Sequence, residues 1–217
     1  MYSVFKNLLI YYSFFSPLSR VFHNAITGIR VDIYTCSHYN HIMENKITDA
    51  LSCSIRGFRL PRYHEIPDVG LYLEQATKYV NQCIHPLGFE DMTSSMIRNY
   101  VKQGLITNPI QKQYSANQIA HLVALALLKQ VTPLEHVNDL FMILNQGGTY
   151  TVPMAYDYFC EEMENILYFR FGLKDSVKDV GITSSLEKEM LRSAIIAVSH
   201  IVYLNRCFQI LGKHEEN

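Results

Sequence analysis

The chain has 217 residues, 48% of them hydrophobic and 18% charged, a composition that supports a sizeable core and excludes a disordered polyelectrolyte. Nineteen Lys and Arg against twenty Asp and Glu leave a formal charge of −1, so bulk charge selects no partner. The longest strongly apolar runs, Leu8–Phe15 and Leu122–Leu128, fall short of the roughly 18–20 residues that cross a bilayer, which argues against a multi-span membrane protein.

Residues 1–42 differ from the remainder: they hold nine of the twenty-six aromatics but a single acid, Asp32. Three readings compete for this atypical leader. A signal peptide would use Lys6 and the apolar run to Phe15, but no small-residue cleavage site follows. An interfacial anchor needs a clean amphipathic helix, which Pro17 interrupts. A gene model that starts too early, with Met43 as the biological start, is the reading the composition favours.

Residues 43–57 read as a flexible segment, and 56–67, bracketed by Pro61 and Pro67, as an extended arm. Asp68 is placed to cap a helix carrying Val69, Leu73, Ala76, Val80 and Ile84 on one side, ended by Pro86 and Gly88. A second helix starts at Thr93-Ser94-Ser95 and stops at Gly104. After Asn108-Pro109, the stretch Ile110–Tyr114 is short enough for a reduced wing. Ser115 caps an Ala- and Leu-rich helix over 116–130, and Thr132-Pro133-Leu134-Glu135 is a capping box that opens another. Gly147-Gly148 marks a linker over 147–152. Beyond it lie helices near 153–171 and 185–211, with a tail at 212–217. The last helix carries Met190, Ala194, Ala197, Ile201, Leu204, Phe208 and Leu211 at alternating four-and-three spacing, beside a second apolar row of Leu191, Ile195, Val198 and Val202. So wide an apolar arc belongs to a core helix or a dimer helix. No strand-rich segment, repeat or low-complexity tract is visible.

Charge is unevenly placed. The forty-three residues between Asp91 and Glu135 contain no acid but hold Arg98, Lys102, Lys112 and Lys129, whereas residues 133–217 carry a net −5. Within the positive stretch, the 94–103 helix has Met96, Ile97, Tyr100 and Val101 on one side. On the other lie Ser95, Arg98, Asn99 and Lys102, one continuous stripe of hydrogen-bond donors without a carboxylate. Arg reads guanine edges and Asn reads adenine, while Ser and Lys reach phosphates or bases. Thr93 and Ser94 open the helix, where backbone donors suit a phosphate. A plain solvated helix face has the same composition.

The order of elements adds to this. Met96-Ile97-Arg98-Asn99-Tyr100-Val101-Lys102-Gln103-Gly104-Leu105-Ile106 resembles the recognition helix and exit of MerR-type regulators, roughly lRyYe-xGLl. Gln113-Tyr114-Ser115 is similar to that family's wing exit, and Ile119–Val131 with Thr132–Val137 continues the match to about residue 145. Leu60–Pro67 followed by Leu71-Tyr72-Leu73 resembles more closely a MerR-like bacterial family called domain of unknown function 1836, which brings no known activity. Three features depart from the MerR pattern: the long turn Pro86–Met92, the short wing Pro109–Tyr114, and Asn99 where the first of two aromatics is expected. The resemblance implies a mainly α fold, with a MerR-like winged helix-turn-helix over 58–146 and a two-helix dimerisation or effector region over 153–211. It implies a cytoplasmic homodimer that binds double-stranded DNA and regulates transcription. Ser95, Arg98, Asn99 and Lys102 would face the major groove, and Thr93, Ser94, Lys112 and Gln113 would hold phosphates. The alternative is a protein-interaction module that keeps the shape without DNA.

No enzyme motif is present, and no metal or cofactor is expected. The nine histidines form no HExxH or Cys/His set, and Gly147-Gly148 lacks a phosphate-loop context. The five cysteines, Cys36, Cys53, Cys83, Cys160 and Cys207, form no CxxC and fit a reducing compartment. Cys160 and Cys207 have no basic neighbour in sequence that would make them redox sensors. Glu161, Glu162 and Glu164 read as a solvated acidic face, and Tyr156, Tyr158, Phe159, Tyr168, Phe169 and Phe171 as packing between tail helices or an effector pocket.

Overall fold

A computed structural model of the chain describes residues 45–146, 151–177 and 185–212, which fall in one compact unit. The readings made for residues 1–42, for Gly147-Gly148 and for 213–217 lie outside the described residues. The architecture is mainly α. Helices α1 (residues 45–55), α2 (Leu73–Ile84), α3 (Ser94–Lys102), α4 (Ala116–Leu128), α5 (Leu134–Gln146), α6 (Val152–Arg170) and α7 (Leu186–Gly212) accompany one small antiparallel sheet. The sheet pairs β1 (Leu71–Tyr72) with β2 (Gln113–Tyr114), Leu71 opposite Tyr114 and Tyr72 opposite Gln113.

Helix α4 is the axis of the core. Ile119, Leu122, Val123, Leu125, Leu127 and Leu128 are all fully enclosed, because α2, α5, α6 and α7 pack around it. Its start is held by Gln118, which accepts from the Ser115 backbone N–H at 2.8 Å and donates to the Thr107 carbonyl at 2.7 Å. One buried side chain thereby satisfies both a helix end and the preceding loop. A single hydrophobic cluster runs from Leu51 to Val202, so the helices on either side of the glycine pair share one core.

Several expectations change. The segment expected to be flexible, 43–57, is helical over 45–55; Leu51 and Ile55 enter the core and Ser52 Oγ donates to the Phe171 carbonyl at 2.7 Å. The helix expected from Asp68 begins at Leu73 instead. Gly70 N–H bonds back to the Asp68 carbonyl at 3.2 Å, Leu71 and Tyr72 are drawn into the sheet, and Val69 is left 75% exposed. The strand at Gln113–Tyr114 falls in the stretch read as a reduced wing, but β1 was not expected, because its partner residues lie 41 and 43 positions away in sequence.

The acidic turn on α6 is not a solvated face. Glu164 clamps Arg62 with two bonds of 2.6 and 2.8 Å and accepts from Leu60 N–H at 2.9 Å, while Asp157 accepts from Tyr63 N–H at 2.7 Å. The arm is therefore stitched along α6, with Phe58 and Leu60 buried beneath it. Glu162 is wholly buried and lies 3.1 Å from Arg192 Nε on α7. Only Glu161 of the three is exposed.

Helix α7 buries Leu191, Ile195, Val198 and Val202 against the unit and leaves Met190, Leu204, Phe208 and Leu211 open to solvent. By length and composition it is also long and apolar enough to cross a membrane, although no unbroken apolar run of that length occurs within it.

Candidate nucleic-acid interface

Helix α3 sits on α2 through Ile97 and Tyr100, which are buried, and Met96 and Val101, which are partly so. Its opposite face presents Ser95, Arg98, Asn99 and Lys102, all exposed and covered neither by α6 nor by α7. Among the described residues no acid pairs with Arg98, Lys102 or Lys112. The stripe read from the sequence is thus one continuous solvent-facing donor surface.

The start of the helix behaves differently from the expectation in detail. Thr93 Oγ1 caps α3 by accepting from Met96 N–H at 3.2 Å, and Ser94 Oγ lies 3.0 Å from Thr77 Oγ1 on α2. Thr77 Oγ1 already donates to the Leu73 carbonyl, so Ser94 Oγ donates to it and is engaged within the protein, whereas Thr93 Oγ1 only accepts and keeps its proton for an anion. The first backbone N–H groups of the helix are further donors there.

The turn between α2 and α3 is built rather than loose. A 3-10 turn, His85–Leu87, runs into Gly88 at φ 79°, and Leu87, Phe89 and Met92 anchor it in the core. Asn81 grips its far end: Nδ2 donates to the Met92 carbonyl at 2.9 Å and Oδ1 accepts from Met92 N–H at 2.8 Å. Arg206 of α7 grips the near end, with Nη2 donating to the Pro86 carbonyl at 2.7 Å; a methyl group added at Gly88 would lie 3.8 Å from its Cζ. Neither residue is marked by a local motif, since each acts on a backbone group distant in sequence.

The reduced wing is a tight hairpin. Gln113 N–H bonds the Ile110 carbonyl at 2.8 Å, and the two residues between them, Gln111 and Lys112, have φ of 51° and 66°. Two positive φ angles make the primed turn that matches strand twist, here without the usual Asn or Gly. Lys112 is exposed at the tip and Gln113 is half-buried, its Cβ so close to Gly70 that a methyl group there would lie at 2.8 Å. The buried side of the hairpin is Tyr114. Burial raises its hydroxyl above the ordinary tyrosine range, and the charge of Arg98 offsets part of that rise.

Elsewhere, among the described residues, no three His, Cys, Asp or Glu side chains come together in a way that would hold a metal ion. Burial pushes the Cys83 and Cys160 thiols up to about 12, so neither supplies a thiolate at neutral pH. Of the tail aromatics, Tyr156, Phe159 and Phe171 are core residues, and Phe171 meets Tyr203 edge-on at 5.2 Å. A cavity of about 40 Å³ borders Tyr156, Phe159, His121 and Phe141. That is far below the roughly 150 Å³ that accommodates a benzene ring.

The structure therefore defines a mainly α-helical unit in which two helices, a gripped turn and a minimal hairpin frame one cationic face. Residues 61–159, just under half of the chain, match the family model described as Domain of unknown function (DUF1836), and the match spans this whole face. No curated protein and no solved structure matches the chain significantly.

Proposed function

We propose that the protein is a sequence-specific reader of double-stranded DNA that regulates transcription as a cytoplasmic homodimer. In this reading α2, the gripped turn and α3 form a MerR-like helix-turn-helix, and the β1–β2 sheet with its hairpin forms the wing. The observation that carries the reading is the stripe of Ser95, Arg98, Asn99 and Lys102 on one face of α3, exposed and free of acids. A stripe placed merely for solubility would be expected to interleave acids with its bases. Arg98 and Asn99 would read base edges in the major groove, and Lys102, Lys112 and the first N–H groups of α3 would hold phosphates.

The open row of α7 would join the protomers. In an antiparallel pair Met190 faces Phe208, Ala194 faces Leu204 and Ala197 faces Ile201, so that each layer sets a large residue against a small one except the first. The helix dipoles then also oppose favourably. Two α3 helices related by that dyad would meet half-sites about one helical turn apart.

The test is a selection from random duplexes with the purified chain at two salt concentrations. Enrichment of a palindrome, with affinity falling steeply with salt, supports the reading. On the selected site Arg98→Ala should cost about 1–3 kcal/mol and relax specificity, whereas Lys112→Ala should weaken all sequences alike. A folded sample that enriches nothing and shows no salt-dependent retention would refute it and leave an interaction module.

A further inference from the structure

We infer that Arg206 is a positioning residue for DNA binding: it fixes the end of α7 against the turn that presents α3, and so sets the one half-site spacing that the homodimer accepts. This rests on the DNA reading and the α7 pairing above. It assigns a role to a residue that touches neither DNA nor the second copy.

The two halves of α7 are held unequally. From Leu191 to Val202 the helix is fastened by four core residues, Leu191, Ile195, Val198 and Val202. Beyond Val202 no residue up to Gly212 is buried. Yet this lightly held half carries Leu204, Phe208 and Leu211, which are 49%, 70% and 47% exposed and supply most of the large side chains of the pairing row. A pairing helix whose end is free to bend would hold its second copy over a range of angles.

Arg206 removes that freedom. It stands two residues from both Leu204 and Phe208, and two residues turn an α-helix by about 200°, so it faces inward where they face outward. Its guanidinium makes a fork, with Nη2 donating to the Pro86 carbonyl at 2.7 Å and Nη1 to Gln209 Oε1 at 2.8 Å. Among the described residues the first of these is the hydrogen bond that ties α7 to the turn. Gln209 rests on the same end, since a methyl group added at Gly88 would lie 3.7 Å from its Nε2. Arg206 Nε is buried without a hydrogen-bond partner. A guanidinium that served only solubility would keep all its donors in water; here one is given up to hold the fork in place.

The far end of that turn is Met92, gripped by Asn81 and followed at once by Thr93, the cap of α3. One guanidinium therefore joins the pairing half of α7 to the segment that leads into α3. A dimer reads the separation of its half-sites through the dyad, so a rigid link at this point selects one spacing and a loose link admits several.

The experiment is the random-duplex selection with the full chain, comparing wild type, Arg206→Met and Arg206→Lys, followed by anisotropy on the selected palindrome and on an isolated half-site. Met keeps the apolar stem and removes the fork. It should enrich the same half-site sequence at several spacings and bind the wild-type palindrome about tenfold more weakly, with half-site affinity unchanged. Arg206→Lys still donates to Pro86 and should recover part of the loss. Neither variant should change the salt slope, because Arg206 neutralises no phosphate. Should the Met variant fail to fold, Gln209→Ala, at an exposed position, unties the other arm of the fork and should broaden the spacing in its place. Wild-type spacing and palindrome affinity in the folded variants would refute the positioning role and leave the DNA reading standing. An equal loss on the isolated half-site, or a salt slope lower by about one, would also overturn it, because Arg206 would then act on α3 alone or hold a phosphate. A wild type that retains no duplex overturns the DNA reading and this inference together.

Discussion

The turn ahead of α3 determines how the cationic stripe is presented, and Asn81 is its main polar support. Met92 is almost fully enclosed, and its N–H and C=O both depend on the Asn81 amide at 2.8 and 2.9 Å. Asn81→Ala leaves both groups without that partner. Each orphaned buried group costs roughly 1–3 kcal/mol, and because Asn81 is itself half-buried, water reaches part of the gap. The expected loss is therefore near the lower end for two groups, about 2 kcal/mol, or a fall in Tm of roughly 4–8 °C for a unit of this size. Urea unfolding followed by far-ultraviolet circular dichroism measures it, with an unchanged m-value showing that the same surface is exposed. Asn81→Asp sharpens the test. At neutral pH it keeps the acceptor for Met92 N–H but turns a carboxylate oxygen toward the Met92 carbonyl, so it should be at least as damaging as Ala. Below the carboxylate pKa the protonated acid donates again and stability relative to the wild type should recover. A loss under about 0.5 kcal/mol for Asn81→Ala, the range of ordinary surface substitutions, would refute the argument.

Three further outcomes follow from other contacts. Glu164→Ala should destabilise by about 2–3 kcal/mol in the same urea assay, because it strands the buried Leu60 N–H and the Arg62 guanidinium, the latter partly screened by solvent. Gln111→Gly should stabilise by about 0.5–1 kcal/mol, since glycine relieves the positive φ at a position that touches no core; a loss measured by thermal melting would mean the turn is not under strain. Burial holds the His121 imidazole below its ordinary pKa against Phe141, 5.4 Å away, so the unfolded chain binds the proton more readily. Stability should fall as pH drops below the ordinary histidine pKa, and His121→Leu should remove that part of the slope between pH 7.5 and 5.5.

How much was legible in the sequence depended on the range of the interaction. Residues 94–102, 116–128 and 186–212 were readable as helices because caps and three-and-four spacing are encoded within a few neighbouring residues. The donor stripe was readable for the same reason, since a helix face is fixed once the period is known. The Asp68 helix failed because Val69 continues the spacing but Leu71 and Tyr72 are claimed by strand partners 43 and 41 residues away, and no local pattern reports that pairing. The acidic turn failed similarly. Glu162 and Glu164 look solvated until Arg192 and Arg62 arrive from other parts of the chain.

What the amino-acid order determined by itself was therefore six of the seven described helices, their apolar faces, and a cationic stripe without acids. Tertiary structure alone decided which way the stripe faces, that the Ser94 hydroxyl is spent on Thr77 of α2, and that Tyr72, Gln113 and Ile110 align in one row. The physical reason is that helical hydrogen bonds close within four residues, whereas strand pairing, the Asn81 and Arg206 grips and the Arg62–Glu164 clamp join groups whose separation only the folded core sets.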